Sequence, residues 1–170
     1  MAKKASARDA QVILQLYDLR REPELRKARN WWLLEFWPNS ADDFMNVALA
    51  PGTQENNWLR QGASYWGMAA ALVLQGALSE ELFLRPANSG EMFVMFAKLQ
   101  PFMEELREKS GDPEAFADVE KLALSTKWGR ERVKFLAQRM EIWKEKMGRK
   151  SKKEQETNAE RQSTPTGAEL

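Results

Sequence analysis

Apolar residues recur every three or four positions along most of this chain, a spacing that predicts amphipathic helices. Val12, Leu16 and Leu19, with Ile13 and Tyr17 beside them, predict a first helix over residues 8–21. Pro23 suits the first turn of a second helix, whose stripe is Leu25, Ala28, Trp32 and Phe36 and which Pro38 ends just after Trp37. Ser40, followed by Asp42 and Asp43, reads as an N-cap with acids where the helix dipole favours them. That short helix carries Phe44, Val47 and Ala48 and stops at Pro51-Gly52. Thr53 and Glu55 open the longest helix, running to about Gln75, with Leu59, Gly62, Trp66, Ala69, Ala70 and Val73 on one face. From Ala63 to Leu74 it is apolar almost all round, the pattern of a helix surrounded by others. Gly62 and Gly67 each cost about 1 kcal/mol against alanine in a helix interior, and close approach of a tryptophan ring is the expected return.

Gly76 reads as a C-terminal cap, and Ser79-Glu80-Glu81 starts a short helix through Leu84. Pro86-Ala87-Asn88-Ser89-Gly90 reads as the clearest internal loop. Met92, Phe96, Leu99, Met103 and Leu106 then form one helical seam that Pro101 should kink. Gly111 stops it, Asp112 caps the next helix with Pro113 in its first turn, and Phe116, Val119 and Ala123 face inward. A last helix, about residues 126–147, has its seam at Val133, Leu136, Met140, Trp143 and Met147. From Arg149 onward apolar residues nearly vanish, as in disordered tails. No segment alternates with period two. The expected fold is all-α, a single-domain bundle of six or seven helices around an apolar central helix at about 53–75. Residues 1–7 are expected to be a flexible N-terminus, 8–147 the helical domain and 148–170 a disordered polar tail.

Composition narrows the chemistry more than the fold. With 170 residues and 43% of them apolar, the chain can bury one sizeable core. It has seven tryptophans, five between Trp31 and Trp66, and neither histidine nor cysteine. The two missing types supply most general bases near neutral pH and most transition-metal ligands. The N-terminal MAKKASARDAQ has no apolar run behind its basic residues, so no secretory signal is read there. The longest apolar stretch falls short of the ~20 residues that span a bilayer. A cytoplasmic location without a membrane span is the resulting expectation. Net charge is +1, but residues 30–120 carry 5 Lys/Arg against 14 Asp/Glu, while 121–153 carry 12 against 3. Those two regions either pair inside the fold or leave opposed patches.

Three groups of residues are candidates for function. Trp31, Trp32, Trp37, Trp58 and Trp66 form core packing, a self-association surface or a wall for a small ligand. Asp42, Asp43, Glu55, Glu80 and Glu81 read as caps and solvated first-turn acids, since helical di-metal sites draw on Glu-x-x-His pairs. Lys127, Arg130, Lys134, Arg139, Lys146, Arg149 and Lys150 are candidate contacts to nucleic acid or another anion, although cations spread around a helix also describe a solvated face. Ser64 has no histidine or S-x-x-K lysine to activate it. No cofactor is implied.

The stretch NNWLRQGASYWGMAAALVLQGALSEELF resembles the central segment of a family of uncharacterised, all-helical bacterial proteins. The matching positions are Trp66, Gly76-Ala77-Leu78 and Glu80-Glu81-Leu82, mainly within residues 58–83. An acid often follows the aromatic in that family, where this chain has Gly67, so any role of that acid does not carry over. Relatives often have an N-terminal membrane anchor, and none is read here. The resemblance implies an all-α domain and no activity. The expectation is therefore a non-enzymatic helical interaction or scaffold protein, with a protein partner or homo-oligomer. The alternatives are a nucleic-acid-binding accessory protein using the basic C-terminal helix, and a small-ligand binder at a tryptophan-lined face.

Overall fold

The computed structural model describes residues 4–143, which contain helices and turns and no strand. In order they form α1 (Ala7–Leu19), α2 (Pro23–Asn30), a π-helical turn (Trp31–Glu35), α3 (Ala41–Ala48), α4 (Gln54–Leu74) and α5 (Glu80–Phe83). Then come α6 (Pro86–Leu99), a 3₁₀ turn (Gln100–Phe102), α7 (Met103–Ser110), α8 (Ala117–Ala123) and α9, residues 127–143. The all-α expectation holds. Lys146, Arg149, Lys150 and the expected tail lie outside the described residues.

Side-chain caps start several helices. Ser6 and Asp9 form a reciprocal capping box on α1, Ser40 Oγ accepts from Asp43 N at 3.2 Å, and Thr53 Oγ1 accepts from Asn56 N at 3.2 Å. The described residues form nine α-helices where six or seven are expected, one of them added because Pro101 divides the expected seam. Proline offers no N–H, so the chain tightens into the 3₁₀ turn between α6 and α7. Two boundaries also differ from the sequence reading. Pro86 to Gly90 are the first turn of α6, with Pro86 at its first position and Ser89 Oγ donating to Arg85 O at 3.3 Å. Asp112 accepts from Glu114 N at 3.0 Å and holds a local turn, so α8 begins only at Ala117. Phe116, just before it, sits at φ 57°, a left-handed conformation that costs about 1–2 kcal/mol for a residue with a Cβ. Its edge contact with Phe44, 5.9 Å between ring centres, helps hold it there.

The long α4 packs against α2, α3, the π-helical turn and α8, burying Leu59, Tyr65, Trp66, Ala69, Ala70 and Val73. It is not enclosed on every side, since Met68 stays 44% exposed. The most enclosed helix is α6, where Met92, Phe93, Met95, Phe96, Ala97, Lys98 and Leu99 are all buried. On α1, Leu19 faces solvent and Arg20 is buried instead, drawn inward by a carboxylate described below.

The two helical glycines of α4 differ. A Cβ on Gly62 would overlap the Trp32 indole at Nε1 and Cδ1, whereas one on Gly67 would meet nothing within 4 Å. The indole lies in the Gly62 notch and donates to Trp58 O at 3.2 Å. Alanine at either site gains about 1 kcal/mol of helix propensity, but overpacking typically costs about 1–3 kcal/mol, so the sign should separate them. Urea denaturation should show Gly62→Ala destabilised by up to about 2 kcal/mol and Gly67→Ala stabilised by up to about 1 kcal/mol. Equal effects would show that the notch is not tight.

Candidate functional site

The tryptophan cluster is built where α2 widens into the π-helical turn. Phe36 N–H bonds to Trp31 O at 2.9 Å, a five-residue step that closes the wide turn. Trp31 stacks on Phe36 at 4.4 Å, and Trp32 meets both edge-on at 5.8 and 5.2 Å. Trp58 is half-buried 6.2 Å from Trp31, and Trp66 is buried edge-on to Tyr65 at 4.8 Å. The space beside Trp32 and Trp66 is about 10 Å³, no more than one water-sized volume. Trp37 is half-buried, donates to Leu34 O at 2.9 Å and lies edge-on to Trp143 at 6.5 Å.

Lys98 completes this corner. Although 5% exposed, its ammonium donates to Trp32 O at 2.6 Å, Phe36 O at 2.8 Å and Leu33 O at 3.2 Å, with Nζ 3.7 Å from the Trp37 ring centre. A helix end leaves carbonyls without intrahelical donors, and one buried cation answers three of them here.

A second charged cluster joins α1, α2 and α6. Arg29 Nε donates to Glu91 Oε2 at 2.7 Å while its Nη2 bonds Oε1, and Arg20 Nη2 reaches the same Oε1 at 2.9 Å. Arg29 Nη1 also donates to Arg20 O at 2.8 Å, and Arg20 lies 5.3 Å from the Trp66 ring centre. Burial alone would push the Glu91 carboxyl up, but the Arg29 hydrogen bonds and both arginine charges outweigh it and hold the carboxyl below the ordinary range. Beside it the Tyr65 hydroxyl donates to Leu16 O at 2.8 Å, and burial pushes its pKa up to about 12. This cluster ties three helices together, with Arg20 Nε left buried and without a hydrogen-bond partner.

The other candidates are dispersed. Asp42 pairs with Lys109, Asp43 accepts from Asn39 N at 2.8 Å, and Glu55 lies on the exposed first turn of α4. Ser64 donates to Gln61 O at 3.2 Å. Among the described residues no group of three or more His, Cys, Asp or Glu could hold a metal ion, and no helix is long and apolar enough to cross a membrane. On α9, Arg130 Nη1 donates to Leu124 O at 2.7 Å, Lys127 lies 3.8 Å from Glu131, and Lys134 and Arg139 are exposed. Among the described residues no ion pair joins α9 to the acidic middle of the chain.

Two features escape the sequence reading. The outer flank of α9 carries Phe135 and Ile142, seven residues apart and 45% and 53% exposed. The Arg132 and Arg139 guanidinium carbons lie 5.4 and 5.5 Å from the Phe135 ring centre. The heptad spacing is visible in the sequence, beside the seam that packs inward. The second is a cleft of about 640 Å³ where α1, the α4 end, α5, the α6 start and the α9 start converge. Its walls come from three separated stretches of chain, at Asp9, residues 73–86 and residues 126–128, so no local pattern announces it.

These features define a small all-α domain whose buried charges brace the helices. Residues 5–128, more than half of the chain, match the family model described as a domain of unknown function, DUF4760, and the chain belongs to that family. No curated protein and no solved structure matches it.

Two stability measurements check the buried charges. The folded-state pKa of Glu91 lies below its unfolded value, so its contribution is complete above the ordinary glutamate pKa and lost as pH falls through the folded value. Urea midpoints for the parent and Glu91→Gln should differ most near pH 7 and converge as the pH is lowered toward 3. A constant gap would rule out the ionised clamp. Lys98→Met should cost about 2–4 kcal/mol by stranding the carbonyls of the π-helical turn, read as a lower denaturation midpoint. An unchanged midpoint would mean that the ammonium contributes nothing there.

Proposed function

We propose that this chain is a non-enzymatic helical interaction domain whose α9 outer flank docks an acidic segment of a partner protein. The observation that carries the reading is the pairing of exposed Phe135 and Ile142 with Arg132 and Arg139 on one flank. Large apolar groups next to arginine are the side chains that dominate protein interface centres. The same flank disfavours a second copy of the chain, because apposed α9 helices would bring like charges together. Residues of α9 beyond Trp128 fall outside the family match, so the reading concerns this chain rather than the whole family. It assigns the domain to a bacterial cytoplasm, a setting in keeping with the absence of cysteine.

A photo-crosslinking residue at position 135 or 142, with position 49 as an exposed control, tests the contact in cells making the full chain. The expected result is protease-sensitive adducts at 135 and 142 but not 49, mapping by mass spectrometry to an Asp/Glu-rich peptide and lost in Arg132→Glu/Arg139→Glu. Adducts removed only by nuclease would replace this reading with nucleic-acid binding. No adduct at either position, or adducts to peptides of no particular charge, would overturn it.

A further inference from the structure

The cleft beside α5 has the features of a small-ligand site, and it is separate from the α9 flank beyond Trp128. Its volume of about 640 Å³ lies within the ~300–1,000 Å³ of such sites. The floor is apolar, with Val73, Leu78 and Leu84 from the α4 end, the turn after it and the α5 end. Gly76, at φ 72°, turns the chain sharply enough for Leu78 to fold back beneath α4. The opposite wall is the indole of Trp128, 40% exposed and therefore open on one side.

That ring is held in place rather than loosely draped. Its buried edge meets Phe93 at 5.3 Å and 86°, and Phe93 has no exposed surface. The next residue, Gly129, has no room for a Cβ, which would overlap Ala123 O, and its N–H bonds to Thr126 Oγ1 at 3.0 Å. The first turn of α9 therefore seats tightly on the end of α8 and fixes the indole at the cleft mouth.

Half of the polar side chains lining this apolar cavity are carboxylates. Asp9 Oδ1 accepts from Ser79 N at 2.8 Å, and Glu81 pairs with Arg85 at 3.2 Å. Glu80 is held differently, because Oε1 accepts from the Ser125 hydroxyl, a neutral donor. Among the described residues no cation forms an ion pair with it. Its position is thus set without cancelling its charge. Among the lining residues Glu80 and Glu81 stand against Arg85, so the mouth carries excess negative charge next to an open indole face.

An open indole and a nearby carboxylate suit a cation that also carries apolar surface, through cation–π attraction and charge. A neutral apolar compound would use the floor alone, and an anion would be repelled. The geometry points to this cleft as a binding site for a small organic cation, a substituted ammonium with an aromatic or alkyl body, seated between Trp128 and Glu80. All lining residues fall within the family match, unlike the α9 flank.

Benzyltrimethylammonium is a direct probe, with benzyl alcohol as its neutral and benzenesulfonate as its anionic counterpart. Each is titrated into the full chain labelled with ¹⁵N-tryptophan, and the Trp128 indole resonance is assigned by its loss in Trp128→Phe. The ammonium should give a saturable Trp128 shift with a Kd of about 1 mM or below, and the other two compounds no saturable shift. Glu80→Gln keeps an acceptor for Ser125 and should retain the parent thermal midpoint while weakening the ammonium about three- to tenfold. Phe135→Ser, which removes the proposed protein contact, should leave this binding unchanged, so the two readings fail separately. No saturable shift, an equal response to benzyl alcohol, or unaltered affinity in Glu80→Gln would each overturn the site.

Discussion

The arrangement of the bundle depends on one ammonium group placed where a helix runs out. After α2 the chain widens into the π-helical turn, presents three carbonyls toward the interior and must then leave for α3. Buried carbonyls without donors are costly. Lys98 resolves the problem from α6, a helix that lies more than sixty residues further along the chain. Its position beneath Trp37 brings α6 up against the π-helical turn, and this places Phe93 where Trp128 of α9 can meet it. A single charge therefore sets the relation between the tryptophan-rich corner and the opposite end of the molecule.

The Arg20–Glu91–Arg29 cluster has a related role on the other side of α6. Ion pairs at the surface contribute little, but a carboxylate clamped by two guanidinium groups and half-enclosed by Tyr65 and Trp66 has narrow geometric tolerance. It explains why the α1 end turns Arg20 inward at the expense of Leu19. Neither cluster resembles a reaction centre. The arginines neutralise the carboxylate, and the lysine spends its donors on backbone carbonyls.

Much of the fold was legible because helix starts are local chemistry. Ser40 with Asp43, Thr53 with Asn56 and Ser79 with Leu82 cap as their spacing suggests. An unfavourable glycine in a helix calls for a close neighbour, which holds at Gly62, where Trp32 fills the notch, and fails at Gly67, where nothing lies within 4 Å. Asp112 misleads because aspartate serves local turns and helix caps with the same acceptor geometry, and only the left-handed Phe116 decides between them. Pro86 misleads for a similar reason, being equally at home in a loop and at a helix start. Lys98 sits off the Met92–Phe96–Leu99 seam and carries no sequence signal of its role, because the sequence does not reveal that α6 is enclosed on its remaining sides. The cleft is the extreme case, assembled from segments as distant as Asp9 and Trp128.

The π-helical turn also bears on how the chain could change length. Such a turn is an α-helix that has taken in one residue more than its hydrogen-bond ladder requires, so every side chain after it is rotated by about 100° from the register set before it. In this molecule the rotation lets Trp31, Trp32 and Phe36 converge on one another while the chain still exits toward Pro38. Residues 31–35 are therefore the splice in the fold: a single-residue deletion there would restore a regular helix and its ladder, yet would swing Phe36 and Trp37 away from the carbonyls and the ammonium between which the corner is closed.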